Sequence, residues 1–173
     1  MANTFELIQA FTVSTPANSI TLSSIPATYT DLVLETSLRT DRADYGDNVG
    51  LQFNSSTSGY SDRRLYGYGT GAGSDSGSST YLRCSRVDAA LNTASTFSNG
   101  SIYIPNYAGS TNKSVSIDNV YENNASGNAY CEMYAGLWSN TAAINSIKLY
   151  LVDAGVLNFV ANSTVYLYGV KNA

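Results

Sequence analysis

Histidine is absent from this 173-residue chain, which removes the commonest general base and the commonest ligand for transition metals. A Ser-His-Asp or Cys-His catalytic arrangement cannot be built within one such chain. Cysteine occurs only at Cys84 and Cys131. Without histidine, two thiols do not make a zinc or copper site, and their distance in sequence carries no information about a disulfide. Cys131 alternates with Met133, Ala135 and Leu137, the pattern of a small buried hydrophobe, so the reading is two free thiols. Charge is also scarce: Asp, Glu, Lys and Arg together make up 13% of the chain, about half the usual share of roughly 25%. Nine cations against 13 anions leave a net charge of -4. The cations form no run and do not alternate with aromatics, so nothing is present to release counterions from a nucleic-acid backbone. No stretch approaches the ~20 apolar residues of a membrane-crossing helix. The opening Met-Ala-Asn-Thr-Phe-Glu has neither the basic nor the apolar region of a secretory signal.

What is present is period two. Hydrophobic residues make up 43% of the chain, and the polar surface falls to Ser, Thr, Asn and Gly, a composition that suits particle-surface and adhesive β-proteins. The length fits one domain with one core, residues 1–173, with no need of staples. Phe5, Leu7, Phe11 and Val13 read as one face of a first strand, and Ile20 with Leu22 as a second. In Asp31 to Thr40, Leu32, Leu34, Thr36 and Leu38 alternate with Val33, Glu35, Ser37 and Arg39. Val49, Leu51 and Phe53 follow; later come Ile102 and Ile104, ended by Pro105, which has no amide to donate, then Val115 and Ile117. Cys131, Met133, Ala135 and Leu137 read as an inward face, with Tyr130, Glu132, Tyr134 and Trp138 opposite. Ile147, Leu149 and Leu151, then Val165 and Leu167 opposed by Tyr166, Tyr168 and Val170, complete the set. About eight to eleven strands result, and no segment holds a helical stripe. The expected class is all-β, an antiparallel β-sandwich of jelly-roll type, with the last strand beside the first.

The punctuation predicts a turn at Asn99-Gly100 and loops at Asn106 to Asn112 and Glu122 to Asn128. The one low-complexity stretch, about residues 69–80, predicts a flexible exposed loop or inserted tip. A short helical turn is expected near Ser139 to Ile144.

Candidate functional residues cluster around that stretch. Tyr60, Tyr66, Tyr68 and Tyr81 flank it together with Arg63, Arg64 and Arg83. Tyr with Arg is the mixture enriched at protein interfaces, and aromatic faces also stack on sugars. Three readings stay open: coverage of the core or of the sandwich edge, a protein interface, or a glycan site. Glu35 and Glu132 are expected to face solvent, which argues against paired catalytic carboxylates. Asp41, Asp44 and Asp47 offer oxygens of the kind calcium takes, but without EF-hand spacing and with Arg39 and Arg42 at hand; a solvated loop is the preferred reading. The Asn-x-Ser/Thr tripeptides at Asn54, Asn112, Asn124 and Asn162 read as chance matches. No catalytic residue, cofactor or metal is expected, and the chain does not read as an enzyme.

Four segments carry a resemblance. Ile25-Pro-Ala-Thr-Tyr-Thr-Asp-Leu-Val-Leu34 with Ser37-Leu-Arg-Thr40, Thr96-Phe-Ser-Asn-Gly-Ser-Ile-Tyr-Ile-Pro-Asn-Tyr-Ala-Gly-Ser-Thr-Asn-Lys113, Ala135-Gly-Leu-Trp-Ser-Asn-Thr-Ala-Ala-Ile144 and Leu167-Tyr-Gly-Val-Lys-Asn172 resemble small tailed-phage virion structural proteins, a group common in phages of aquatic bacteria including cyanobacteria. The resemblance spans nearly the whole chain and is weakest from about Gly59 to Val87. It implies a jelly-roll virion component, a capsid cement or decoration protein that contacts the major capsid protein or other virion proteins and is homo-oligomeric. It implies no residue-level role, no nucleic acid and no membrane. The divergent Tyr/Gly/Ser region is the expected partner-specific surface, and the termini, Met1 to Thr4 and Lys171 to Ala173, are expected to be ordered by lattice neighbours. The alternative is a tail or fibre adhesin that binds a host glycan through the tyrosines, with calcium at the Asp41 loop.

Overall fold

The computed structural model describes residues 4–124, 129–153, 155 and 157–171. Its strands, in chain order, are β1 (Phe5–Thr12), β2 (Ser19–Leu22), β3 (Asp31–Leu38), β4 (Gly46–Phe53), β5 (Tyr60–Tyr68), β6 (Gly71–Ser79), β7 (Leu82–Asp88), β8 (Ser98–Ile104), β9 (Lys113–Tyr121), β10 (Tyr130–Trp138), β11 (Ile147–Leu151) and β12 (Thr164–Val170). They form two antiparallel sheets packed as a sandwich. One has eight strands in the order β1-β12-β3-β8-β9-β10-β5-β6, the other four in the order β2-β11-β4-β7. The pairings nest: β1 with β12, β2 with β11, β3 with β8 and β4 with β7. The hairpins β5-β6 and β9-β10 lie outside that nest and widen the large sheet.

Alternation builds the core as the residues suggest. Leu32, Leu34 and Leu38, Val49, Leu51 and Phe53, Ile102 and Ile104, Val115 and Ile117, Ile147 and Leu149, and Val165 and Leu167 are all buried. Each such side chain contributes about 1.5–3 kcal/mol on leaving water. Trp138 packs between the rings of Phe53 and Tyr60, with centroids 5.5 and 6.1 Å away.

The connections around β3, β8 and β9 are fastened to one another. The Asn106 amide donates to the Asp31 carboxylate at 2.8 Å, and the Tyr107 hydroxyl donates to the Pro26 carbonyl. Arg39, buried, donates to the Thr93 and Thr96 carbonyls at 2.9 and 2.8 Å. Lys113, also buried, donates to the Gly109 carbonyl at 2.6 Å, and burial lowers its pKa. Buried cations of this kind persist only where their donors are satisfied.

Several expectations are corrected. The stretch at 69–80 is not a loop: residues 71–79 are β6, paired with β5 in unbroken register from Tyr60 opposite Ser79 to Tyr68 opposite Gly71. With β5 and β7 on either side of it in sequence, it brings the nine strands read from alternation to twelve among the described residues. Asn99-Gly100 is not a turn; both residues lie inside β8 opposite Ser37 and Thr36. A side chain at Gly100 would meet the Thr36 hydroxyl at 3.0 Å, so the glycine serves a close approach between strands. The segment from 139 to 144 holds no helical turn. Phe5 and Leu7 are exposed because the β1 register shifts between Leu7 and Gln9. Residues 125–128 of the expected turn, and residues 1–3 and 172–173 of the expected lattice-ordered termini, lie outside the described residues.

Strand β10 is reversed. Tyr134 and Trp138 point into the sandwich with Glu132, while Cys131, Met133 and Ala135 are exposed. Tyr134 and Trp138 bring large apolar rings into the core, and the Glu132 charge finds buried partners that no single strand reveals.

Candidate interaction surface

Strand β5 sits between β10 and β6, and its side chains sort by parity. Tyr60, Asp62, Arg64, Tyr66 and Tyr68 share the inner face with their β10 partners Trp138, Gly136, Tyr134, Glu132 and Tyr130. Arg63, Leu65 and Gly67 share the outer face with Ala135, Met133 and Cys131. The seven candidate residues are therefore divided between two faces and the core.

The outer face groups exposed apolar side chains among polar ones, with Asp118 of β9 opposite Met133. Leu65 stands opposite Met133, and each is 61% exposed. One strand further on, Val120 stands opposite Cys131, and both are exposed. A groove of about 610 Å³ runs over Leu65, Met133, Ala135, Ser74, Ser76 and Ser116. Arg63 and Arg64 are the candidate residues that line it. None of Leu65, Met133 or Val120 is a residue that solvent favours, and grouped exposed apolar side chains mark contact surfaces.

The inner face of the same strands carries a buried ion network. Glu132, 1% exposed, accepts from the Arg86 amide at 3.0 Å, from Arg64 Nη1 at 3.3 Å and from Asn119 Nδ2 at 3.3 Å. Arg64 Nη2 reaches Asp75 of β6 at 2.9 Å, and Arg83 Nη1 reaches the same carboxylate at 2.8 Å. Arg83 also donates through Nε to Asp62 at 2.9 Å. Burial opposes the Arg83 charge, but Asp62 and Asp75 outweigh it and hold its pKa above the ordinary value. These pairs join β5, β6, β7 and β10. Breaking a buried pair leaves a charge without compensation, which is why such networks fix geometry more than they add stability.

Beside the network, four tyrosines stack. Tyr66 and Tyr68 lie 5.9 Å apart, Tyr68 and Tyr130 5.2 Å, and Tyr130 and Tyr121 5.5 Å. Arg64 sits 4.1 Å over Tyr66, and Arg86 sits 4.7 Å over Tyr130. Strand β6 is glycine-rich for the same reason. A Cβ at Gly73 would fall 2.6 Å from the Tyr66 hydroxyl, and one at Gly77 would fall 3.1 Å from Arg83 Nε. Ring and guanidinium thus lie across the strand where side chains are missing.

Of the seven candidates, Arg64, Tyr66, Tyr68 and Arg83 come together on the inner face. Tyr60 is core, 2% exposed, with its hydroxyl accepting the Phe53 amide at 2.8 Å. Tyr81 packs edge-on against Tyr150 at 5.8 Å. Arg63 stands alone on the outer face. Sequence reasoning missed Tyr121, Tyr130, Arg86, Asp62, Asp75 and Glu132, which come from strands distant along the chain. Glycines at alternate positions, Gly69, Gly71, Gly73 and Gly77, interrupted only by Asp75, were a signal that the low-complexity stretch is a strand with one sparsely filled face.

The Asp41 carboxylate is engaged apart from those of Asp44 and Asp47, which share Arg42 at 3.6 and 3.5 Å. Asp41 accepts from the Asn158 amide at 2.7 Å, Asp44 from the Tyr45 amide at 2.7 Å, and Asp47 from the Asn48 amide at 2.9 Å, with Arg42 at 3.5 Å. Among the described residues no group of three or more acidic or thiol side chains is placed to hold a metal ion. Cys84 is buried and Cys131 exposed, and both are free. No protein-family model, no curated protein and no solved structure matches this chain.

Proposed function

We propose that this protein is a structural component of a phage virion, a capsid cement or decoration protein that binds the major capsid protein or other virion proteins. The observation that carries the reading is the outer face of β9, β10 and β5, with the apolar Leu65, Met133 and Val120 exposed. A cement protein gains its effect from many modest contacts repeated by symmetry, and a wide sheet face with grouped apolar side chains beside Arg63 and Asp118 supplies such contacts. The resemblance to tailed-phage virion proteins supports the same reading.

We also infer a jelly-roll topology. The eight nested strands support it, because β1-β12-β3-β8 in one sheet and β2-β11-β4-β7 in the other are the orders that rolling up one long hairpin produces. The β5-β6 and β9-β10 hairpins are then insertions that build the docking face.

The adhesin reading draws on Tyr66, Tyr68 and Tyr130. Their rings stack on one another and under Arg64 and Arg86, so much of the surface a sugar would use is taken up within the stack. Electron cryomicroscopy of the particle tests both. Density for this chain at regular capsid positions, with the outer face against the shell, is expected; density confined to the tail overturns the cement reading.

A further inference from the structure

We propose that β6 pairs antiparallel with β6 of a second copy, joining two large sheets edge to edge across a two-fold axis.

Four sheet edges exist, and three are blunted. The register of β1 shifts between Leu7 and Gln9, and β2 has only four residues. Strand β7 carries Arg83 and Arg86, its register with β4 shifts at Val49/Gly50, and it lies against β9 and β10. Bulges, short length and charge are the devices that keep an edge from pairing. Strand β6 has neither a bulge nor a short length, and its one charge, Asp75, is paired within its own chain. It runs nine residues, Gly71–Ser79, in unbroken register with β5, and it ends the eight-stranded sheet. Its sequence, Gly-Ala-Gly-Ser-Asp-Ser-Gly-Ser-Ser, contains no lysine, no proline and no bulky side chain. The row of amides and carbonyls that faces away from β5 is a template for another strand.

The charge pattern selects a second copy as occupant. The strand's one ionisable group, Asp75, is already held by Arg64 and Arg83 of its own chain, so the edge presents no field that would recruit a charged peptide or repel its own copy. Directly opposed residues in an antiparallel pair share a face, so only registers that match like parity are allowed. A two-fold at Ser74 or at Ser76 sets Asp75 opposite a glycine, Gly73 or Gly77, and serines opposite serine or alanine on the outer face. A two-fold at Asp75 opposes the two carboxylates and is disfavoured. The pairing also carries the outer face across the axis, giving one continuous docking surface. It stands on the edge itself: a chain found to be monomeric would overturn it and leave capsid docking untouched.

The experiment is light scattering on the purified chain with size-exclusion chromatography. A dimer is expected. The variant Ser74→Lys/Ser76→Lys places two ammonium groups in direct opposition in all three registers, and its mass is expected to halve with an unchanged circular dichroism spectrum. Mixing it with Ser74→Glu/Ser76→Glu is expected to restore the dimer mass as a heterodimer. Hydrogen exchange on the unmodified chain reads the same contact without substitution, with protection of β6 amides lost on dilution. A wild-type chain that stays monomeric at high micromolar concentration overturns the proposal. So does a dimer whose β6 amides exchange as fast when concentrated as when dilute, or a folded lysine variant that keeps the wild-type mass.

Discussion

Leu65 of β5 lies directly opposite Met133 of β10, and both side chains point away from the core into a shallow groove. Neither supports the fold by burial, so each is free to serve a contact. Leu65→Ser and Met133→Ser are expected to change unfolding free energy by less than about 0.5 kcal/mol, as exposed substitutions do. Both are expected to weaken attachment to the particle. Urea denaturation with a particle co-sedimentation assay checks the pair of outcomes; a large stability loss with intact attachment would place these residues in the fold instead.

Glu132 is the reverse case, a charge that belongs inside. Glu132→Ala leaves Arg64, Asn119 and the Arg86 amide without their shared acceptor, a change expected to cost about 3–5 kcal/mol. Glu132→Gln keeps a carbonyl acceptor and is expected to cost less. Denaturation midpoints of the two variants order the effects.

Asp47 links stability to pH. It is fully buried, and burial, followed by the neighbouring Asp153 carboxylate, pushes its pKa up to about 6 against the opposing Arg42 charge. The unfolded value is about 3.9. The folded state therefore holds this proton more tightly. Its contribution is complete below the unfolded value and disappears as pH rises through about 6. Stability is expected to rise by on the order of 1 kcal/mol between about pH 7 and about pH 5. Asp88, raised by burial, acts in the same direction. Asp47→Asn should flatten the slope, which urea titrations across that window measure.

The two thiols should differ in reactivity. Cys131 stands exposed on the outer face, whereas Cys84 is buried, donates to the Val49 carbonyl at 3.3 Å, and has its pKa pushed up to about 12, chiefly by burial. Maleimide is expected to label one thiol per native chain and two in denaturant, with mass spectrometry of peptides assigning the first to Cys131. Labelling there is also expected to hinder particle attachment.

Much of the sandwich was readable because Leu32, Leu34 and Leu38, or Val165 and Leu167, have polar or tyrosine neighbours that leave one choice of face. The candidate surface was legible only in part. Arg64, Tyr66, Tyr68 and Arg83 were found by proximity to the Gly/Ser stretch, but their partners Glu132, Tyr130, Tyr121 and Arg86 arrive from β10, β9 and β7. Tyr60 was left open between core and surface because tyrosine suits both, and only the Phe53 amide that it accepts shows which.

Alternation alone determined that this chain forms strands with two unlike faces, since period two survives any packing arrangement. It could not determine which face of β10 enters the core. Both faces carry apolar groups, and the choice depends on whether Glu132 meets Arg64, Arg86 and Asn119 inside. Nor could it pair β6, whose glycines have no preference until Tyr66 and Arg83 lie across them. Those outcomes belong to tertiary structure, because they are set by contacts between residues far apart in the chain.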